Sequence, residues 1–123
     1  AGGAAARSEA GGDGASILNE AVYAKLAASL TRSQLEQLYA MCVEDVERRV
    51  AGMRTAAFNR DDAAYRREAH AIKGGCGMVG ATELQTLATA MEEEGMGVSN
   101  HVASLDEFLL ACARLQRILV ARR

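Results

Sequence analysis

Most of the side chains that could do chemistry lie in one stretch, Tyr65 to Gly80. It holds the histidine His70, the cations Arg66, Arg67 and Lys73, and the glycines Gly74, Gly75, Gly77 and Gly80. On a helix surface, residues three and four apart are neighbours. His70 therefore sits beside Arg66 and Arg67 on one side and beside Lys73 and Gly74 on the other, with Gly77 two turns on. At about 100° per residue, Tyr65, Ala69, Ile72, Cys76 and Val79 gather on one face, and His70 points about 140° away from it. That spacing predicts a core face and an imidazole turned to solvent. An imidazole bordered by cations suits a phosphoryl group, whose dianionic charge and acceptor oxygens call for such partners.

The glycines add a steric argument. Each interior glycine costs a helix about 1 kcal/mol relative to alanine. Close helix packing explains Gly75 and Gly80. Gly74 and Gly77 share the line of His70, and bare backbone there is predicted to let another protein's active site descend onto the ring.

These residues need a frame. Residues 1–16, AGGAAARSEAGGDGAS, have no apolar periodicity and form a flexible linker by composition. From Ile17 to Arg123 the pattern is helical. A short first helix carries Val22, Leu26 and Leu30 and ends near Thr31. Ser33 with Glu36 forms a capping box for a second helix, whose stripe is Leu35, Leu38, Cys42, Val46, Val50 and Met53. Residues Asn59 to Asp62 offer N-caps for the third helix, which runs to about Gly80. Thr82 and Gln85 form a second box, followed by Leu84, Leu87, Ala88 and Met91, and Gly95 and Gly97 stop that helix. Ser104 with Glu107 marks the last helix, which can also start a turn earlier; Leu105, Phe108, Leu109, Cys112, Leu115 and Leu119 are its predicted inner face. The prediction is an all-α fold, an antiparallel four-helix bundle with a short extra N-terminal helix.

Composition narrows the function classes. Fourteen bases against sixteen acids supply no field for a nucleic-acid backbone. No run approaches the ~20 apolar residues of a membrane span. The lack of proline agrees with long helices. Cys42, Cys76 and Cys112 have no metal-ligand spacing and are expected as reduced core residues. His70 and Cys76 lie on different faces and His101 stands alone, so no metal site is expected. No GxxxxGK[ST] loop is present, which argues against phosphorylation from ATP. Glu92 to Glu94 form a solvated helix end, although negative charge is unfavourable at a helix C-terminus.

Ala69-His70-Ala71-Ile72-Lys73-Gly74, continued by Gly80-Ala81, Leu84, Leu87-Ala88 and Met91-Glu92, resembles the signature of histidine-containing phosphotransfer (HPt) domains. The resemblance implies that His70 takes a phosphoryl group from a receiver-domain aspartyl phosphate and passes it to another receiver aspartate. Lys73 would steady the phosphoryl oxygens and Gly74 would keep the approach open. Arg66 and Arg67 lie outside the motif, and their phosphate-stabilising role rests on helical geometry alone. Met78 is a docking candidate. Gly75 and Met78 stand where the family commonly has a small hydroxyl and a polar residue. The chain would be a phosphocarrier with no cofactor of its own, Mg²⁺ belonging to the receiver. Its expected partners are receiver domains, with no nucleic acid and no membrane contact. A cytoplasmic monomer is expected, alone or as the tail of a hybrid sensor kinase. The competing reading is a helical interaction or dimerisation module in which His70 is incidental.

Overall fold

A computed structural model describes residues 17–97 and 101–122, with only the backbone at 101–104. Its helices are α1 (Glu20–Ser29), α2 (Arg32–Phe58), α3 (Asp62–Val79), α4 (Thr82–Glu94) and α5 (His101–Val120). The described residues contain no strand. The linker expected over residues 1–16 lies outside the described residues.

Helices α2 to α5 pack in sequence around one core, and α5 closes the ring against α2. Cross-helix contacts show that neighbours run in opposite directions. Arg49 of α2 meets Glu68 of α3, while Tyr39 reaches back to Val79. On α3 and α4, Tyr65 meets Met91 at one end and Gly77 lies against Gln85 at the other. Arg54 meets Asp106 where α2 ends and α5 begins, and Arg32 reaches Arg122 at the opposite ends. The all-α antiparallel bundle is thus the observed architecture.

The core is apolar throughout. Met53, Tyr65, Ile72, Leu84, Phe108 and Leu115 are among its largest sealed side chains, and among the described residues no polar or charged residue is buried with them. On α3, the five residues predicted for the inner face are the five that are buried. On α2 the buried stripe is Leu35, Tyr39, Val43, Val46, Val50 and Met53, continuing to Ala56. Leu38 and Cys42 are only half-buried, because the wheel turns their direction toward a groove rather than the core centre. Leu109 was expected inside but is 40% exposed, with Ala111 taking the buried position. On α1 no residue is fully buried; Ile17 and Leu18, just before it, enter the core instead.

Helix ends also differ from the sequence pattern. The capping box of α2 is Thr31 with Gln34, two residues before Ser33 and Glu36: Gln34 N–H donates to Thr31 Oγ1 at 3.0 Å, and Thr31 N–H to Gln34 Oε1 at 2.9 Å. Both pairs fit the pattern, and the one nearer the chain reversal is used. Helix α4 has no side-chain cap. Thr82 is the first residue inside the helix and its hydroxyl donates to the Gly80 carbonyl at 3.1 Å, while Gln85 N–H donates to the Ala81 carbonyl at 3.0 Å, so the predicted Thr82–Gln85 box does not form. Helix α5 starts at His101, which places Ser104 inside it rather than at its cap; that side chain lies outside the described residues.

Gly80 makes the sharp turn between α3 and α4. Its φ of 72° is left-handed, and Ala81 N–H donates to the Cys76 carbonyl at 2.9 Å, which closes the end of α3. A β-carbon there would also press on Val22 and Asn19 of the N-terminal segment. Glycine is needed on both counts.

Candidate functional site

Helix α3 presents His70 outward, with 67% of its side chain exposed. Asp61 caps the helix by accepting from Ala64 N–H, and the buried face fixes its rotation about its axis. The imidazole is therefore held by the packing of Ala69, Ile72 and Cys76 beneath it.

Its nearest polar partner comes from α4. His70 Nδ1 lies 2.7 Å from Glu92 Oε2, and Lys73 Nζ lies 2.6 Å from Glu92 Oε1. The ammonium of Lys73, and then the bond to His70, hold the Glu92 carboxyl below its usual range, so it is an anion at neutral pH. A carboxylate can only accept, so Nδ1 carries the proton and donates it. In the neutral ring this leaves the lone pair on Nε2, away from Glu92. One acid thus sets the tautomer of His70 and the position of Lys73.

The sequence matches Glu92, with Met91, to the family signature but assigns it no role, and reads Glu92 to Glu94 as a solvated helix end. The spacing of Glu92 gave a signal, since it follows Ala88 by one turn and borders the core face of α4. What the sequence could not supply was which flank of α3 that face meets.

The other predicted residues divide between two flanks. Arg66 is engaged elsewhere: its Nε donates to Asp62 at 2.7 Å, and its terminal nitrogens donate to the carbonyls of Glu92, Glu93 and Glu94 at 2.8, 3.2 and 3.3 Å. It caps α4. Its charge covers the carbonyl end of that helix and offsets the acidic run there. Gly95, with φ of 67°, lies so close to this guanidinium that a β-carbon would collide with it. Arg66 is therefore placed as a structural cation instead of one free for phosphate. Arg67 is exposed and makes no ion pair among the described residues.

Gly77 does not lie on open surface. A β-carbon there would come 2.9 Å from Gln85 Nε2, so it belongs to the α3–α4 seam. Gly74 and Gly75 are the open pair, with nothing within 4 Å of either added carbon. Gly75, expected in a packed seam, thus stands on the clear side. The helix wheel explains the exchange. Relative to His70, Arg66, Lys73 and Gly77 lean about 20–60° one way, and Gly74, Arg67 and Met78 about 40–80° the other. Helix α4 covers the first flank. The second descends to a groove of about 390 Å³ between α2 and α3, whose walls include Met41, Cys42, Gly75 and Met78. Met78 is 79% exposed and Met41 58%.

Among the described residues no three His, Cys, Asp or Glu side chains gather as a metal-ligand set, and no helix is long and apolar enough to cross a membrane. An outward histidine held by a carboxylate thus stands on the face of a helical bundle. The family model for the Hpt domain matches residues 37–118, about two thirds of the chain, and spans all of α3 and α4. The chain belongs to the Hpt family, the histidine phosphotransfer domains of phosphorelays. Neither curated proteins nor solved structures gave a match.

Proposed function

We propose that this domain accepts a phosphoryl group on Nε2 of His70 from a receiver-domain aspartyl phosphate and hands it to another receiver aspartate. The observation that carries the reading is the bond from His70 Nδ1–H to Glu92, which leaves an unprotonated nitrogen on an open surface.

In the forward step the Nε2 lone pair forms the N–P bond as the P–O bond to the receiver's aspartate breaks, releasing that carboxylate. The ring gains positive charge while Nδ1 keeps its proton. The Glu92 carboxylate, in contact with that N–H, stabilises the charge as it develops. Lys73 has three N–H donors and uses one on Glu92, so two remain for phosphoryl oxygens. Arg67 is the second available cation. Return transfer reverses each step.

The divalent cation of the reaction is assigned to the receiver. Among the described residues the carboxylate touching His70 is Glu92, and it is occupied by Lys73 and the imidazole. The receiver approaches over Gly74 and Gly75, and Met78 with Met41 offers flexible apolar contact at the groove edge. Such docking is transient, since the carrier leaves one partner to meet the next.

The test is phosphotransfer from a labelled phospho-receiver to the domain and to His70→Gln. Acid-labile label on the parent and none on the variant, with equal helicity, is expected. Label retained by the variant would assign the acceptor elsewhere.

A further inference from the structure

The phosphotransfer reading leaves one reactive cluster unused. Cys42 of α2 and Cys76 of α3 face each other across the helix pair, with their sulfurs 3.8 Å apart. Both are free thiols. We propose that they form an oxidisable pair, converted by peroxide into an intramolecular disulfide that ties α2 to α3 at the floor of the groove beside His70.

Three observations bear on this. A disulfide needs its sulfurs at about 2.05 Å, so the thiols must close by about 1.8 Å, within reach of small side-chain and helix adjustments. They sit on different helices in register, where Tyr39 and Val79 on one side and Arg49 and Glu68 on the other already hold the pair together. Both thiols border the groove, but access is unequal: Cys42 is half-buried, while Cys76 is almost wholly covered. A small oxidant therefore reaches Cys42 first.

The electrostatics assign the roles in the same order. The hydrogen bond shared with Cys76 draws the Cys42 thiol below its ordinary range, against the opposing effects of burial and Asp45. That same bond and burial push Cys76 well up, which makes it the proton-bearing partner. Cys112 is also buried and raised, to about 12, chiefly by burial. The Cys42 thiolate attacks one peroxide oxygen, the O–O bond breaks, and Cys42 becomes a sulfenic acid with loss of hydroxide, protonated to water. The Cys76 sulfur then attacks the Cys42 sulfur; the S–S bond forms, the S–O bond breaks, and a second water leaves with the Cys76 proton. Two thiols are oxidised by two electrons and one peroxide is reduced to two waters. A dithiol reductant reverses the bond, as a reducing compartment requires of a transient disulfide.

The experiment uses the reduced chain, hydrogen peroxide, and peptide mapping after alkylation under denaturing conditions. Cys42 and Cys76 should lose reactivity together and appear as one cross-linked peptide, with Cys112 still alkylated and dithiothreitol restoring both thiols. The cross-link should raise the melting temperature by on the order of 10 °C. In Cys76→Ala, if folded, Cys42 should be trapped as a sulfenic acid; the mapping of the parent chain does not depend on that variant. Cys42 oxidised to sulfinic acid with Cys76 still free, a covalent dimer through Cys42, or no reaction of either thiol would overturn the proposal. None of these outcomes depends on phosphate transfer, so this inference and the phosphotransfer reading fail separately.

Discussion

The two flanks of α3 differ in what they do with similar residue types. Toward α4, Arg66, Lys73 and Gly77 are drawn into packing and ion pairs: a helix cap, a bridge to Glu92 and a seam against Gln85. Toward α2, Arg67, Gly74, Gly75 and Met78 are uncovered. His70 stands on the ridge between them. The first flank orients the ring and the second admits the partner. A single helix carries both tasks because its glycines are not equivalent.

The comparison is broken most directly from the open flank. Gly74→Trp should slow transfer from a phospho-receiver by on the order of 100-fold while leaving the bundle as stable as before, since only approach is obstructed. If transfer were unchanged, partners would not come over Gly74. On the other flank, Glu92→Ala frees the ring and Lys73 together. The expected loss in transfer rate is about 10-fold, equivalent to about 1.4 kcal/mol of transition-state stabilisation. Stability should change little, because the ion pair lies at the surface, where solvent screens it.

Arg66→Ala sharpens the division between cap and phosphate ligand. It should lower stability by about 1 kcal/mol, read by denaturant unfolding, with a transfer rate within a factor of about two of the parent. Arg67→Ala should do the reverse, sparing stability and reducing transfer.

Among these residues, much of the helix identity was legible and the flank assignment was not. The burial of Tyr65, Ala69, Ile72, Cys76 and Val79, and the exposure of His70, follow from 3.6-residue periodicity, which depends on one helix alone. Whether Gly77 or Gly75 is covered depends on where α4 sits, and no spacing within α3 encodes that. Arg66 illustrates the same limit: a cation four residues before His70 is adjacent to it on the wheel, yet the three carbonyls ending α4 attract it more effectively. The role of Glu92 escaped for the complementary reason, since its partners lie 22 and 19 positions earlier in the chain. The capping boxes show that a pattern matched twice within a turn cannot choose its own register.

Smaller effects test the glycine contrast. Gly74→Ala should stabilise the domain by about 0.5–1 kcal/mol, because the added carbon meets nothing and helix propensity improves. Gly77→Ala should gain less, since Gln85 must swing aside. The smallest effect concerns pH. The carboxyl of Glu92 is held below its ordinary value by Lys73 and His70, so its stabilising contribution is present above the unfolded carboxylate value and is lost as pH falls through the lowered folded one. Melting curves of the parent and Glu92→Gln should therefore differ at neutral pH and draw together in strong acid.

The central claim is that Glu92 fixes the ring with Nδ1 protonated and Nε2 bare. Nitrogen-15 and phosphorus-31 NMR of the domain, before and after phosphorylation by a receiver, tests it at the atom concerned. The account predicts the Nδ1–H tautomer in the free domain and a phosphorus–nitrogen coupling at Nε2 in the phosphorylated one. Phosphorus on Nδ1, or a free ring protonated at Nε2 alone, would contradict it.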